Sequence, residues 1–262
     1  MKELIYKNGS YKTAPISVSL FSRVFPSCAF YADIFSIVSR GSAKAKRGQY
    51  PTAAWAHSSL ETFRALEDVG VQIEITGVDS FRTIEGPCIF IGNHMSTLET
   101  FVLPAIIAPF KDVTFVVKRS LIDYPVFKHV MRSRDPVVVD RTNPRKDFEA
   151  VLEGGTARLK AGRSIIIFPQ TTRTATVDPE TFNTIGVKLA RKAHVSIIPI
   201  ALKTDAWGNG RYLKDFGRID PSKTVHFAFG KPLRITGRGV EEHQEIIAFI
   251  LEKLEGWNQE QR

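Results

Sequence analysis

Cysteine is scarce in this sequence, with Cys28 and Cys88 as the two examples among 262 residues. Two cysteines cannot build the multi-bridge framework that holds small secreted domains together, and their spacing matches no metal-binding motif. A disulfide scaffold and a cysteine-based metal site are therefore excluded. We expect both side chains to be small buried hydrophobes in a reducing compartment.

Long uninterrupted apolar runs are also missing. No stretch reaches the roughly 18–20 uncharged apolar residues that a helix needs to span a bilayer. The nearest candidate, residues 16–38, is rich in phenylalanine but is interrupted by Arg23, Pro26 and Asp33. It also lies too far into the chain, and lacks the small-residue cleavage site, to read as a signal peptide. We expect neither a membrane span nor a signal sequence.

Acidic residues are outnumbered, with 27 Asp and Glu against 36 Lys and Arg, which gives a formal net charge of +9. Such an excess favours an anionic partner, which can be a nucleic acid, an acidic membrane surface or a phosphorylated substrate. Hydrophobic residues make up 43% of the chain and charged residues 24%, an ordinary globular composition. Disorder, collagen and coiled coil are excluded for the chain as a whole.

The apolar segment 16–38 is followed at once by a basic cluster, and two interpretations of it stay open. The cluster consists of Arg40, Lys44, Lys46 and Arg47. Aromatic and apolar residues flanked by cations are typical of an interfacial element that lies on a membrane. The same residues also suit a helical hairpin that packs on the domain while the cations face water.

Short apolar runs alternate with helical patterns through the rest of the chain. Runs without polar alternation suit strands that are covered on both faces, and they occur at 88–91, 113–117, 137–139, 165–168 and 197–200. Further strands are predicted at 71–75, as a half-buried edge strand, and at 225–229. Helices are predicted at 51–70, 97–109, 144–161, 182–194 and 240–257. The pattern predicts an α/β fold with a mostly parallel central sheet flanked by helices. We divide it into an N-terminal helical segment, 1–70, and a catalytic domain, 71–262.

The sharpest local feature is the segment Asn93-His94-Met95-Ser96-Thr97-Leu98-Glu99, which directly follows a predicted strand. Active sites of open α/β sheets collect at the carboxyl ends of strands. Ser96 and Glu99 fit a capping box that starts a helix at Thr97. His94 then precedes a helix N-terminus, which favours a neutral base, and Glu99 can fix its tautomer. In the alternative interpretation, Glu99 only completes the cap and His94 is an ordinary loop histidine.

Two arginines follow two other predicted strands, and their side chains suit a phosphate. Arg141 comes after the 137–139 run and Arg173 after the 165–168 run, so both are expected at the edge that carries His94. Arginine binds phosphate through paired donors. Thr171 and Thr172 add hydroxyl donors beside Arg173, although such threonines also serve ordinary turns. The loop 207–212 can line the entrance to such a site or can simply be anchored by Trp207.

Taken together and in their order along the chain, these motifs resemble those of the glycerolipid acyltransferase family, which includes 1-acyl-sn-glycerol-3-phosphate acyltransferases. The resemblance covers roughly residues 85–230. Its four blocks are Asn93-His94-x-Ser96-x-x-Glu99, Val139-Asp140-Arg141, Phe168-Pro169-x-x-Thr172-Arg173 and Val195-x-Ile197-Ile198-Pro199-Ile200. Lys118 also fits the pattern.

The resemblance implies that His94 is the base that deprotonates an acceptor hydroxyl, with Glu99 where the family usually has Asp. The hydroxyl would attack an acyl thioester on coenzyme A or acyl carrier protein, and no cofactor or metal would be needed. The acceptor-binding residues implied are Arg141, Arg173, Thr172, Thr171, Gln170 and Lys118. The partners implied are a lysophospholipid, the acyl donor and an anionic membrane surface, not nucleic acid. The protein would sit in the cytoplasm, peripherally on the inner face of the cell membrane.

The sequence departs from the family pattern near the expected acceptor pocket. Gln170-Thr171 replaces Glu-Gly, and Phe182-Asn183-Thr184-Ile185-Gly186 replaces a common Phe-Lys-x-Gly. These changes concern the identity of the acceptor more than the type of reaction. Lysophosphatidate is the default acceptor. Another lysolipid acceptor, or a non-catalytic lipid-binding protein on the same scaffold, stays open as an alternative.

Overall fold

A computed structural model describes residues 3–170 and 172–260 of the chain. Within this part of the chain, eight strands form one sheet in the order β1-β2-β8-β7-β3-β6-β4-β5. The strands are β1 (Tyr11–Lys12), β2 (Ile73–Thr76), β3 (Ile89–Gly92), β4 (Val113–Lys118), β5 (Val137–Val139), β6 (Ser164–Ile167), β7 (Ile197–Lys203) and β8 (Val225–Phe229). The predicted mixed α/β fold, with helices around a central sheet, is confirmed.

The sheet is mostly parallel, and this brings the ends of its strands to one edge. Ile91 of β3 lies opposite Ile167 of β6 on one side and Pro199 of β7 on the other. Strands β4 and β5 continue the parallel arrangement, whereas β8 is antiparallel to β7. The segments that follow β3, β4, β5 and β6 therefore all leave the sheet at the same edge, which is where open α/β sheets place their sites.

Helices cover both faces of the sheet. They are α1 (Leu20–Val24), α2 (Pro26–Lys46), α3 (Thr52–Asp68), α4 (Asp79–Arg82), α5 (Leu98–Ile107), α6 (Arg119–Asp123), α7 (Phe127–Ser133), α8 (Pro144–Lys160), α9 (Ile185–Ala193) and α10 (Val240–Glu260). Side chains of β3 alternate between the two faces of the sheet. Phe90 packs in the hydrophobic core on the face covered by α2, α3 and α5. Ile89 and Ile91 pack in the second core, on the face covered by α8, α9 and α10. All four residues of β3 are buried, as its unbroken apolar run predicts.

Two predictions about the first third of the chain are wrong. The strand expected at the sheet edge, β2, is internal, because β1 pairs with it in antiparallel register. A two-residue strand has no periodicity of its own and forms only because a partner strand is present. Cys28 was expected to be buried like Cys88, but it is exposed on α2.

The segment 16–38 folds into α1 and the first half of α2. No residue of α1 is buried, whereas Phe30, Ile34 and Ile37 of α2 face the core. Helix α2 contacts α3 and α7, and α3 packs on α5. In the part of the chain that the structure describes, no helix is long and apolar enough to cross a membrane.

Candidate active site

The loop between β3 and α5 is held rigidly at the carboxyl edge of the sheet. Asn93 bonds to Leu202 of β7 in both directions, with Nδ2 donating to the carbonyl oxygen at 2.8 Å and Oδ1 accepting from the amide at 2.9 Å. Helix α5 begins at Leu98, one residue later than predicted. Thr97 is therefore the residue directly before the helix, and the amide of Leu98 donates to Ser96 Oγ at 3.1 Å.

Glu99 lies in the first turn of α5 with its side chain fully buried, and it is surrounded by donors. Oε1 accepts from the backbone N–H groups of Met95 at 2.7 Å and Ser96 at 2.9 Å. Oε2 accepts from the hydroxyl of Thr204 at 2.6 Å and lies 3.0 Å from Ser96 Oγ. Burial alone would raise the pKa of Glu99, but hydrogen bonds from His94, Thr204 and the Ser96 backbone lower it below the ordinary value. The group is therefore a carboxylate.

His94 points its ring at this carboxylate, with Nδ1 2.9 Å from Glu99 Oε1. An ionised carboxylate only accepts hydrogen bonds, so Nδ1 carries a proton, and in the neutral ring the lone pair is then on Nε2. Phe168, which follows β6, stacks on the imidazole with ring centres 4.5 Å apart and planes 5° from parallel. The His94 side chain is 17% exposed. The ring is thus fixed in tautomer and orientation while one edge faces solvent, as a general base requires.

Gln170 is nearly buried and connects the His94 loop to the loop after β6. Its Oε1 accepts from the His94 amide at 2.7 Å, and its Nε2 donates to Thr174 Oγ1 at 2.6 Å. The amide of Thr174 in turn donates to the His94 carbonyl oxygen at 2.9 Å. Gln170 had been assigned to acceptor binding from the resemblance, and these bonds direct its amide towards the protein.

Arg173 reaches the first residues of α5, and its guanidinium is engaged. Nη2 lies 2.7 Å from Asp215 Oδ1, and Nη1 donates to the hydroxyl of Thr97. The Arg173 side chain is only 16% exposed. Its two outer nitrogens are therefore presented side by side at the N-terminus of α5, in the arrangement that binds a carboxylate or a phosphate.

Lys118 and Arg141 lie on the same edge of the sheet but farther along the strand order. Lys118 ends β4 and is exposed, two strands from β3. Arg141 follows β5, three strands from β3, with left-handed backbone at φ 59°. The carboxylate of Asp147 in α8 accepts from the Arg141 amide at 2.8 Å and stabilises this turn. Arg141, Arg173 and His94 thus share one edge. Arg173 contacts the histidine loop through Thr97, and Gln170 and Thr174 contact it through His94.

Thr172 is exposed in the loop after β6, and Thr171 lies outside the described residues. Within the described ranges, no group of three or more His, Cys, Asp and Glu side chains is arranged to hold a metal ion. Sequence reasoning did not find Thr204 or Asp215, and it named Phe168 in a motif without predicting its contact with His94. Asp215 is 42 positions away from Arg173, and no local spacing connects the two.

Comparisons with known proteins identify the family to which the chain belongs. The model of the Acyltransferase family matches residues 72–203, half of the chain. The 1-acyl-sn-glycerol-3-phosphate acyltransferase of Pseudomonas aeruginosa is 28% identical over 211 residues, which are 80% of this chain and 76% of that protein. A protein of the same name from Saccharomyces cerevisiae is 26% identical over 67% of this chain and 55% of its own length.

A solved structure has the same fold. The 1-acyl-sn-glycerophosphate acyltransferase PlsC of Thermotoga maritima superposes with a TM-score of 0.66 over 90% of this chain and 96% of that protein, at 17% identity. The matched segment 72–203 contains the histidine, its carboxylate and the loop of Arg173. The chain belongs to the Acyltransferase family and is an acyltransferase.

Proposed function

We propose that this protein moves a fatty acyl group from an acyl thioester to the free hydroxyl of 1-acyl-sn-glycerol-3-phosphate. The observation that carries the proposal is the contact of His94 Nδ1 with the buried carboxylate of Glu99, at a partly exposed position before α5. Relatives whose names state this activity support the choice of acceptor. The donor is acyl-coenzyme A or acyl carrier protein, because each presents the same thioester.

The reaction needs one base and one leaving group. His94 Nε2 takes the proton of the acceptor hydroxyl, whose oxygen attacks the thioester carbonyl carbon. The tetrahedral intermediate collapses, the C–S bond breaks, and the departing thiolate takes the proton back from the imidazolium. Glu99 stabilises the imidazolium between these two proton transfers. No acyl-enzyme forms, because the acceptor itself is the nucleophile.

The acceptor's phosphate is assigned to the arginines at the same edge. Arg173 supplies a paired donor set close to His94, and Arg141 adds positive charge farther along. Burial lowers the pKa of Arg141 from its usual value, with Asp147 acting in the opposite direction, and arginine stays charged in proteins nonetheless. Lys118 and Thr172 are assigned to the same acceptor site, and acceptor binding by Thr171, which lies outside the described residues, stays a prediction.

Residues 1–70 are assigned to membrane contact, and residues 71–262 to catalysis. Exposed Leu20, Phe21 and Val24 on α1 support this assignment, as does the exposed Phe35 on α2. The basic cluster of Arg40, Lys44, Lys46 and Arg47 would face anionic headgroups at the inner surface of the cell membrane. Because β1 and α3 also build the core, the first 70 residues are expected to contribute to stability as well.

The test is a thioester-release assay with a panel of lysolipid acceptors, comparing wild type with His94→Ala. Wild type should release thiol with lysophosphatidate, and the variant should keep its fold and lose the activity. Full activity in His94→Ala would exclude the mechanism. Vesicle binding without thiol release for every acceptor would leave the chain as a lipid-binding protein.

A further inference from the structure

The loop between β7 and β8, residues 208–218, forms a compact unit that we name the 208–218 loop. Its base is closed by the Gly208 amide, which donates to the Arg218 carbonyl oxygen at 3.0 Å. Nearer the tip, the Gly210 amide donates to the Lys214 carbonyl oxygen at 3.3 Å. A Cβ on Gly217 would lie 1.6 Å from the carbonyl oxygen of Gly208, so only glycine permits this approach. A displacement of one side of the loop therefore moves the other side.

Two residues on the inner side of the 208–218 loop, Asn209 and Asp215, contact the candidate active site. Asn209 Nδ2 donates to the carbonyl oxygen of Met95, next to His94, at 3.0 Å. Asp215 Oδ1 lies 2.7 Å from Arg173 Nη2. The carboxylate of Asp215 therefore occupies one of the two outer nitrogens of Arg173, the side chain to which the proposed function assigns the acceptor's phosphate.

The outer side of the loop has the composition of a membrane-contacting segment. Tyr212 is 89% exposed and Leu213 is 62% exposed. They lie between the cations Arg211 and Lys214, neither of which is ion-paired with a carboxylate in the described part of the chain. Aromatic and aliphatic side chains next to cations match the boundary between acyl chains and anionic headgroups.

This outer side is continuous with the exposed N-terminal helices. Phe216 stacks on Phe35 of α2, with ring centres 5.9 Å apart and planes at 19°. Tyr31 of α2 donates its hydroxyl to the Gly217 carbonyl oxygen at 2.6 Å. The loop therefore adjoins the exposed face of α2, and an anionic lipid bilayer is the partner that complements the exposed aromatic, aliphatic and basic side chains of the loop tip.

We propose that Asp215 occupies Arg173 while the protein is away from the membrane, and that entry of the loop tip into an anionic bilayer withdraws Asp215 from the guanidinium. The inference rests on the proposed function, which gives Arg173 the acceptor's phosphate. A phosphate monoester carries more negative charge than a carboxylate and offers three acceptor oxygens, so it binds the released guanidinium in place of Asp215. The device couples membrane contact to acceptor binding and keeps the site closed to soluble phosphate compounds.

The first test is Asp215→Asn, which keeps the shape of the side chain and removes its charge. With a short-chain, monomeric lysophosphatidate and no vesicles, we expect the variant to lower the acceptor KM about fivefold, the effect of freeing one partly exposed ion pair. Addition of phosphatidylglycerol vesicles should stimulate wild type more than the variant. The matched control is Asp135→Asn, which breaks a 2.6 Å ion pair with Arg158 away from the site and should leave the KM and the stimulation unchanged.

The second test removes the apolar tip with Tyr212→Ser and Leu213→Ser together. This double variant should retain wild-type kinetics on the monomeric acceptor, because neither side chain touches Arg173 or His94. Stimulation by phosphatidylglycerol vesicles should fall to the level given by uncharged vesicles, and co-sedimentation with the anionic vesicles should weaken.

The outcomes separate the two proposals. Calorimetric titration with the monomeric lysophosphatidate measures binding without turnover, so Asp215→Asn can be compared with wild type whether or not acyl transfer occurs. Tighter binding by the variant supports the inference. Equal affinities, or equal vesicle stimulation of the two proteins, would overturn it. Absence of thiol release from wild type on anionic vesicles would instead overturn the proposed function.

Discussion

Replacing Glu99 by Gln removes one negative charge from beside His94 and leaves a side chain of nearly the same size. Oε1 can keep its three donors, which are the imidazole Nδ1–H and the amides of Met95 and Ser96. The new NH₂ group then faces Thr204, whose hydroxyl can turn to accept a hydrogen bond. The variant is therefore expected to fold with the imidazole in its original position.

The expected loss of rate follows from the charge that His94 acquires during the reaction. Two opposite unit charges about 4 Å apart attract by about 4 kcal/mol at an effective dielectric constant of about 20. The contact between Nδ1 and Oε1, at 2.9 Å, places the charge centres near this separation. The amide dipole recovers part of the interaction, so kcat should fall by about tenfold to a few hundredfold.

The assay measures thiol release at saturating lysophosphatidate, normalised to the folded fraction from circular dichroism. A matched control is Glu67→Gln, because Glu67 is 2% exposed and its Oε1 accepts from Tyr11 at 2.6 Å and Thr13 at 2.7 Å. This control should unfold at lower temperature and keep its kcat. A threefold loss of kcat corresponds to only about 0.6 kcal/mol. If Glu99→Gln keeps a third or more of the wild-type kcat, the carboxylate does not stabilise the imidazolium as proposed.

Three further changes test other parts of the site and the fold. Gln170→Leu removes the oxygen that accepts the hydrogen bond of the His94 amide and should lower kcat about tenfold. Gln170→Glu keeps such an oxygen and should retain the activity. A change confined to KM would instead make Gln170 a ligand of the lysolipid substrate. Arg173→Lys keeps the charge without the paired donors, so the acceptor KM should rise about tenfold at nearly constant kcat, and an unchanged KM would contradict the phosphate assignment. Burial lowers the pKa of His226 in the folded protein from its usual value of 6.5, although Glu74 opposes this. As the pH falls below 6.5, the unfolded chain therefore binds more protons at this histidine than the folded protein, and the free energy of unfolding falls. Urea unfolding of His226→Gln should show a smaller loss between neutral and mildly acidic pH than wild type, and an equal loss would refute this.

The sequence predicts the elements whose residues are covered on both faces. The unbroken apolar runs at β3, β6 and β7 are visible because both sides of these strands meet helices. The short elements β1, α4, α6 and α7 were not predicted. Each has too few residues to show a period, so the surrounding chain decides its conformation. Cys28 was misplaced for a different reason: burial was expected from its residue type, whereas the position depends on which face of α2 packs on the core.

The site divides in a similar way between local and distant contacts. The relation of His94 to Glu99 was predictable, because five positions across a helix start bring the two side chains together. The engagement of Arg173 by Asp215 was not, since it depends on how the 208–218 loop returns to the sheet edge. The direction of the Gln170 amide was also beyond sequence reasoning, because it is fixed by bonds to His94 and Thr174.

The two sets of contacts that the sequence offers for Glu99, with the helix start and with His94, occur together in the structure. The capping bond from the Ser96 amide and the bond from His94 Nδ1 end on the same oxygen, Oε1. The helix start therefore fixes the position of the carboxylate that orients the imidazole, and no separate element is needed. Since capping is a local property of the chain, the pair of His94 and Glu99 is assembled as soon as α5 begins on the end of β3. Distant residues complete the surroundings of the pair: Thr204 donates to the Glu99 carboxylate, and Phe168 stacks on the His94 ring.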